Sequence, residues 1–329
     1  MRQSFREIRY VDAGVEALQE EMRRDETILY IGQGIGPRGG NFRHTRGLWS
    51  EFGDDRVRDT GICELGATGV GIGAAMAGSR VVVDEVFLDF ALEAMSQIIQ
   101  QAATISYLSN GKIKVPVVIR SAMGAIRNAG AHHSHTFYSW FASTPGLKVI
   151  LPATPYDVKG LLKTALREQG PVIFVEHKAL YYSKGLVPEA EYEIPLGQAQ
   201  ICREGKDVTV VATSRMVNLA LEAASILEKD GIYTEVVDPR TIVPLDTETI
   251  VASVRKTGRV VAVDEAPPLC GFASEIVAIA CENCLNDLVS PPRRICSLPV
   301  PNPFSPVLEN VMIPSVDRMV GEIRSVVKS

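Results

Sequence analysis

The first half of the chain alternates between helical and strand-like patterns of hydrophobic residues. Over Tyr10–Met22 apolar residues recur every three or four positions, which predicts an amphipathic helix. Short apolar runs predict buried strands at Thr27–Ile31, Val81–Phe87, Val115–Arg120, Lys148–Leu151 and Val172–Glu176. Further helices are predicted at Ala91–Tyr107 and Pro155–Glu168. Strands that are apolar on both faces and alternate with helices indicate a parallel sheet covered on both sides.

The second half repeats this rhythm after a break. Gly185, Pro188 and Pro195 interrupt the pattern over Tyr181–Pro195, which is typical of a linker. Strands are then predicted at Val208–Ala212, Tyr233–Asp238, Arg259–Asp264 and Pro292–Ser297, and helices at Met216–Asp230, Thr247–Lys256 and Phe272–Asn286. A chain of 329 residues is also long for one core. We therefore predict two doubly wound α/β domains, over 1–185 and 201–329, joined by a linker over 186–200.

Charge and composition exclude several classes of protein. The net charge is −5 and no block of Lys and Arg occurs, so nucleic acid and anionic membranes are not expected partners. The apolar runs have the length of strands, too short to span a bilayer. The mixed polar start of the chain, Met1–Tyr10, has no apolar signal segment. These features predict a cytoplasmic protein.

The cysteines do not indicate a disulfide framework or a zinc site. The six cysteines are spread along the chain. Cys281 and Cys284 have CxxC spacing, but they fall in a predicted helix and no second pair accompanies them. We interpret them as small core residues.

A histidine cluster is the first candidate for chemistry. Three of the five histidines lie in the segment Ala131-His-His-Ser-His135, after a predicted strand, where open α/β sheets bind ligands. A metal site is one interpretation, although no thiolate or carboxylate is nearby, and capping of the next helix is another. We favour proton transfer or stabilisation of an oxyanion, because imidazole titrates near neutral pH.

The second candidate is Glu64, which opens a helix rich in Gly and Ala. Its neighbours Ile62, Cys63 and Leu65 are apolar, so this carboxyl is expected to be partly withdrawn from water. A desolvated carboxyl can share a proton with a nitrogen heterocycle. A charge that simply stabilises the start of the helix is the alternative.

Glycine pairs do not indicate a dinucleotide site. The pair Gly32 and Gly34 follows a strand but lacks the third glycine, and Gly71 and Gly73 lie inside a helix. Neither arrangement directs backbone N–H groups at a pyrophosphate. A Gly-Asp-Gly motif with a distal Asn, the usual magnesium-diphosphate site of thiamine enzymes, is also absent from the sequence.

The chain nevertheless resembles one family nearly from end to end, in long ordered stretches. These are Phe42–Leu48, Asp59–Gly78, Pro145–Val149, Thr154–Leu162, Phe174–Tyr181, Pro244–Ile250 and Thr257–Glu265. They are similar to the β subunits of the heterotetrameric first component of 2-oxo acid dehydrogenase complexes, within the transketolase superfamily. The pyruvate and acetoin members are expected to be nearer than the branched-chain members.

This resemblance implies a thiamine-diphosphate enzyme that is active only with an α subunit, in an α2β2 assembly. The α subunit would hold the diphosphate and magnesium, which accounts for the missing motif, and this chain would bind the aminopyrimidine ring. The family's proton-sharing glutamate falls on Glu64, its ring-stacking aromatic residue on Phe90 and its catalytic histidine on His133, with Ile62 beside the cofactor. The implied reaction is oxidative decarboxylation of a 2-oxo acid, or cleavage of an acyloin, with acyl transfer to a lipoyl-bearing acyltransferase.

Departures from the family pattern fall around the expected substrate pocket. Gln33 and Gly34 replace two acidic residues, and a histidine replaces the Gln of the His-Ser-Gln motif. The residues predicted to line the pocket are Arg127, Asn128, His132 and His135. The exact 2-oxo acid or acyloin stays open.

A potassium loop of the family maps to this chain without its usual residues. It would involve Val117, Ala165, Leu166, Glu168 and Gly170, but Glu168 and Gly170 stand where Asp and Asn are usual. The ion is therefore not firmly predicted.

Two further functions remain as alternatives. The small half of a split transketolase would show a basic cluster for sugar phosphates, and none is visible in the sequence. A non-catalytic binding subunit is disfavoured because Glu64, Phe90 and His133 are all present.

Overall fold

A computed structural model describes residues 4–126 and 128–328. The chain divides into two compact units. The first contains the residues up to Met123 together with Trp140–Leu196, and the second contains Gly124–Ser139 and the residues from Gly197 onward. The loop with the three histidines therefore packs with the second unit, whereas the strands on either side of it belong to the first.

The first part of the chain alternates strands and helices. Its strands are β1 Phe5–Arg9, β2 Ile28–Gln33, β3 Val57–Thr60, β4 Arg80–Phe87, β5 Val117–Met123, β6 Lys148–Ile150, β7 Val172–His177 and β8 Lys184–Pro188. Its α-helices are α1 Tyr10–Arg24, α2 Leu48–Arg56, α3 Glu64–Met76, α4 Ile105–Leu108, α5 Tyr138–Ala142 and α6 Pro155–Arg167. Short 3₁₀ turns occur at Phe90–Leu92, Ala131–His133 and Lys178–Leu180, and a π-helix at Ser96–Ala102.

The sheet of the first unit is parallel. Its strands lie in the order β6, β7, β5, β4, β2, β3. Helices α1 and α6 cover one face and contribute Leu18, Met22 and Leu161 to a buried core that also contains Tyr30 and Phe174. Strands β1 and β8 form a separate antiparallel pair, from Phe5 opposite Pro188 to Arg9 opposite Lys184.

The second unit is a smaller α/β sandwich. Its strands are β9 Gln200–Arg203, β10 Val208–Ala212, β11 Thr234–Asp238, β12 Thr241–Val243, β13 Val260–Asp264 and β14 Arg293–Cys296. Its helices are α7 Arg215–Glu228, α8 Thr247–Thr257, α9 Phe272–Cys284, α10 Pro306–Met312 and α11 Val316–Lys328. The sheet order is β14, β13, β10, β11, β9, parallel except that β9 runs antiparallel to β11.

The predicted fold class, two α/β domains, is confirmed, while two local predictions are wrong. The segment Ala91–Tyr107 is not one α-helix, because the chain passes from a 3₁₀ turn into a π-helix in which Ala103 N–H donates to Ile98 O, five residues back, at 3.0 Å. The segment Tyr181–Pro195 is not purely a linker, since it contains β8. The boundaries of the two domains stay a prediction. Cys281 and Cys284 are free thiols, and Cys284 is buried.

None of the helices within residues 4–126 and 128–328 is both long enough and apolar enough to cross a membrane.

Candidate functional site

Helix α3 lies unusually close to strand β4. A Cβ atom added at Gly71 would stand 2.4 Å from Val83 Cγ2, so only glycine permits this approach. One helical turn earlier, the Thr68 hydroxyl donates a hydrogen bond to Glu85 Oε1. The small residues that the sequence places in α3 therefore bring its first residue, Glu64, toward the carboxyl end of β4.

Strand β4 is irregular at this end. Val86 has φ +50°, in the left-handed region that a β-branched residue rarely adopts, and its N–H donates to Asp84 Oδ1 at 2.9 Å. The pairing of β4 with β5 shifts between Asp84 and Phe87. Asp84 contacts Tyr30, whereas Glu85 contacts Thr68 of α3. Because of this irregularity, the adjacent carboxyls of Asp84 and Glu85 lie in different surroundings.

Asp84 belongs to a buried polar network. Its Oδ2 lies 2.5 Å from His44 Nε2 and accepts from the Tyr30 hydroxyl at 2.8 Å. Arg120 donates to Tyr30 at 3.2 Å and makes two hydrogen bonds to Glu176, at 2.6 and 3.0 Å. Burial alone would raise the pKa of Asp84, but the charge and hydrogen bond of His44, together with Arg120, outweigh it and hold that pKa below its usual value.

Glu85 is in the opposite situation, at a concavity that is partly open to solvent. The lining residues come from the ends of β2, β3 and β4 and from the segment that leads into α3, and they are Gln33, Thr60, Gly61, Cys63, Glu64, Ala67, Asp84, Glu85 and Val86. Burial raises the pKa of Glu85 to about 8, opposed by the Thr68 hydrogen bond and reinforced by the negative charges of Glu64 and Asp84. Its Oε2 has no hydrogen-bond partner among the described residues. Glu64 is half-buried.

The concavity is acidic. No lysine or arginine is among the described residues that line it. A neutral or cationic nitrogen heterocycle fits such a lining, because the carboxyls can accept from an amino group and a protonated one can donate to a ring nitrogen. A diphosphate does not fit there, since it would face like charges.

The other residues predicted to contact the cofactor lie nearby in the chain but outside this lining. Phe90 is half-buried and packs edge-to-face on Phe87, with ring centroids 5.3 Å apart, and Phe87 packs in the same way on Phe42 at 5.5 Å. Ile62 is 77% exposed, just before α3 begins. The aromatic row thus runs from Phe42 through Phe87 to Phe90, whereas Ile62 faces outward in this chain.

The histidine loop is fixed within the second unit by carboxylates that accept from its backbone. Ala125 N–H donates to Glu265 Oε1 at 2.6 Å, and Asn128 N–H donates to Glu309 Oε2 at 3.1 Å. Asn128 adopts φ +57°, a conformation that asparagine tolerates. Arg127, a predicted pocket residue, lies outside the described residues.

The three histidines of the loop have different surroundings. His132 is exposed, and His133 is half-buried in the 3₁₀ turn. His135 stacks on Phe137, with ring centroids 4.3 Å apart, and lines a cavity of about 70 Å³ in the second unit. Ser134 is buried, and its hydroxyl finds no hydrogen-bond partner among the residues described. The loop therefore does not gather its imidazoles around one point.

In the segment that maps to the family's potassium loop, side chains of arginine and lysine already contact the backbone and a carboxylate. Arg80 donates to the carbonyls of Leu166 and Glu168, at 3.0 and 2.7 Å, and Lys148 pairs with the Glu168 carboxylate at 2.5 Å. Arg80 thus already occupies two carbonyls of this loop. A potassium ion at Val117, Ala165, Leu166, Glu168 and Gly170 is, as before, not firmly predicted. Over residues 4–126 and 128–328 no group of three or more His, Cys, Asp or Glu side chains could hold a metal ion.

Comparison with known proteins identifies first the two domain types of the chain and then the protein family to which it belongs. Residues 6–184 match the transketolase pyrimidine-binding domain, and residues 197–319 match the transketolase C-terminal domain. A solved structure titled as a split-gene transketolase, an inactive β4 tetramer, superposes with a TM-score of 0.78 over 98% of each chain. Its sequence identity is 24%, so it shows the fold alone.

The relatives in sequence are more specific. The chain is 43% identical to the 2-oxoisovalerate dehydrogenase subunit beta of Bacillus subtilis, over 96% of this chain and 97% of that one. It is 43% identical to an acetoin:2,6-dichlorophenolindophenol oxidoreductase subunit beta of Cupriavidus necator, over 95% of each. It is 40% identical to the mitochondrial pyruvate dehydrogenase E1 subunit beta of Dictyostelium discoideum, over 98% and 91%. The chain belongs to this family of dehydrogenase β subunits, as its sequence pattern predicted.

These identities support the dehydrogenase family over the split transketolase. The expected preference for pyruvate and acetoin members is not seen, because a 2-oxoisovalerate enzyme matches equally well.

Sequence reasoning predicted Glu64 as a site residue and did not single out Glu85, which lines the same concavity. Its only signal was the pair Asp84-Glu85 within the otherwise apolar run Val81–Phe87. Two adjacent acids at the end of a buried strand are costly unless each has a role or a partner.

Proposed function

We propose that this chain supplies the aminopyrimidine side of a thiamine-diphosphate site in a 2-oxo acid or acyloin dehydrogenase. The observation that carries the proposal is the acidic concavity at the start of α3, where the half-buried Glu64 lies beside the buried Glu85. Glu85 Oε2 has no hydrogen-bond partner in the described chain, which is the condition expected of a group that waits for a ligand.

Thiamine diphosphate, when bound, would supply the carbanion chemistry that protein side chains lack. Glu64 would exchange a proton with a ring nitrogen, because a half-buried carboxyl at the start of α3 can act as a general acid and base. The ring of Phe90 would pack on the heterocycle and fix its orientation at little entropic cost. Ile62 would add apolar contact at the entrance.

The rest of the cofactor site would come from an α subunit. The concavity offers no cation to a diphosphate, and the described residues contain no metal cluster. We therefore assign the diphosphate and magnesium to the partner and propose an α2β2 assembly. A lipoyl-bearing acyltransferase would accept the acyl group. A cytoplasmic location stays a prediction, and several relatives are named as mitochondrial.

The test is the substitution Glu64→Gln in the enzyme assembled with its α subunit. The amide fills the same space but cannot exchange the proton, so exchange of the thiazolium C2 proton should slow by about 10²–10⁴-fold. Exchange is followed by NMR after dilution into deuterated buffer.

Glu282→Gln is the matched control, because it makes the same charge change at an exposed position of α9. It should leave C2 exchange unchanged. An exchange rate that Glu64→Gln does not alter would remove Glu64 from the mechanism and the proposed function with it.

A further inference from the structure

Glu85 is a buried acid that the proposed mechanism does not use. Its side chain is 2% exposed, it accepts from Thr68 through Oε1, and Oε2 has no described partner. It shares one concavity with Glu64, whose negative charge acts on it. Two carboxyls that share one partly desolvated site do not readily ionise together, because their charges repel.

We propose that Glu85 is a positioning residue that stores a proton for Glu64, so that the two carboxyls hold one proton between them. The inference rests on the proposed function and deepens it. The single proton starts on Glu85. The O–H bond of Glu85 breaks as the O–H bond of Glu64 forms, and the O–H bond of Glu64 then breaks as the same proton forms the N–H bond of the bound heterocycle. The negative charge left on Glu85 is balanced by the positive charge gained by the heterocycle.

The surroundings of Glu85 favour this role. Its pKa of about 8 leaves it mostly protonated at neutral pH. The titratable groups that line the concavity with it are Cys63, Glu64 and Asp84, and none is a cation. Asp84 is engaged with His44 and Tyr30 and carries the charge, since its own pKa is lowered. The Thr68 hydroxyl fixes one oxygen of Glu85, so the other is the oxygen left for proton exchange.

The first test needs no cofactor. The folded chain holds the Glu85 proton up to pH about 8, whereas an ordinary glutamate releases it near 4.5. The folded state therefore binds more protons between these values, and the stability contributed by protonated Glu85 is present below pH 4.5 and lost as pH rises to about 8. Glu85→Gln imitates the protonated acid and does not titrate. Its Tm should rise relative to the unsubstituted chain over this window and level off above it.

The second test uses the enzyme assembled with its α subunit and thiamine diphosphate. The rate of C2 proton exchange should fall on the alkaline side as Glu85 ionises. In Glu85→Gln this alkaline fall should be absent. In Thr68→Val it should move to higher pH, because the lost hydrogen bond is one that lowers the pKa of Glu85. If Glu85→Gln does not fold, Thr68→Val carries the test alone.

The outcomes separate the two proposals. A Tm difference that stays constant from pH 5 to 8, or an alkaline fall at the same pH in Glu85→Gln, would overturn the proton store (Thr68→Val with an unmoved fall would do the same). If Glu64→Gln leaves exchange unchanged, the proposed function fails, and the stability test still decides whether Glu85 holds a proton. Glu282→Gln should match the unsubstituted chain in both tests.

Discussion

At the scale of single residues, the pair of Arg120 and Glu176 shows how charged side chains are tolerated when they are buried beside the sheet. The two side chains are 1% and 0% exposed. Arg120 also donates to the His44 carbonyl at 3.1 Å, so nearly all of its hydrogen-bonding capacity is used. Both charges have left water, and each is tolerated only because the other is present.

Glu176→Leu should therefore destabilise the chain by roughly 3–5 kcal/mol, since it leaves the Arg120 charge buried without compensation. Urea unfolding of the full chain measures this change. The control is Glu228→Leu, which breaks an exposed pair with Arg203 at 2.8 Å and should cost less than about 1 kcal/mol. Equal losses of unfolding free energy in the two variants would show that the buried pair contributes no more to stability than the exposed pair.

His133 is the residue that we expect to act in acyl transfer, because the family motif places its histidine before a serine. His133→Ala should slow single-turnover acyl transfer to a lipoyl domain by about 10²–10⁴-fold while C2 proton exchange is spared. His135→Ala and His132→Ala should mainly change substrate preference, and His135 already lines a cavity of the second unit. If His135→Ala is the more damaging variant, the catalytic role belongs to His135.

Glu64 could be singled out from the sequence and Glu85 could not, because the first depends on local neighbours and the second on distant contacts. Glu64 stands at the start of a helix among apolar neighbours, a local pattern that can be read along the chain. Glu85 acquires its role from the irregular end of β4 and from Thr68, which is 17 residues away. A left-handed Val86 gives no signal in the sequence, because valine ordinarily favours regular strands.

At the scale of elements, the approach of α3 to β4 determines where Glu64 and Thr68 lie. Gly71→Ala should destabilise the chain by about 1–3 kcal/mol, because the new methyl group meets Val83 at 2.4 Å and the helix must move. Gly73→Ala is the control on the same helix, where an added Cβ meets nothing within 4 Å. It should stabilise the chain by about 0.5–1 kcal/mol through helix propensity.

Chemical denaturation of both variants, without the partner chain, measures these changes. Gly71→Ala should also slow exchange of the thiazolium C2 proton in the assembled enzyme, because the start of α3, where Glu64 lies, moves. A stabilisation of the same size in both variants would mean that helix propensity, rather than the contact with β4, determines the effect of substitution at Gly71.

Elements with local signals were predicted well, whereas elements made by distant pairing were not. Helix α8 was predicted to within a residue, because Asp246 caps it by accepting from Thr249 N–H at 3.0 Å and Gly258 ends it at φ +67°. Strands β1 and β8 were missed because each is short and half-exposed, and its partner is far away in the sequence. Such strands gain their identity only when they pair.

At the scale of the whole molecule, an exposed apolar surface surrounds the start of α3. Ile62, Leu65 and Val70 are 77%, 48% and 65% exposed. Large apolar side chains that are exposed close together along the chain are typical of an interface. They border the concavity that holds Glu64, and that concavity lacks the cations needed for a diphosphate. A partner that completes the cofactor site would be expected to cover them.

Val70→Asp should therefore prevent assembly with the α subunit while leaving the isolated chain folded, because a carboxylate buried at an interface without a partner is costly. Sedimentation should show a species of about twice the heterodimer mass for the unsubstituted pair and separate chains for the variant. Leu285→Asp, at a position that is 67% exposed in the second unit, is the control and should still assemble. Assembly by Val70→Asp, or tight binding of thiamine diphosphate by this chain alone, would contradict a cofactor site shared across this surface.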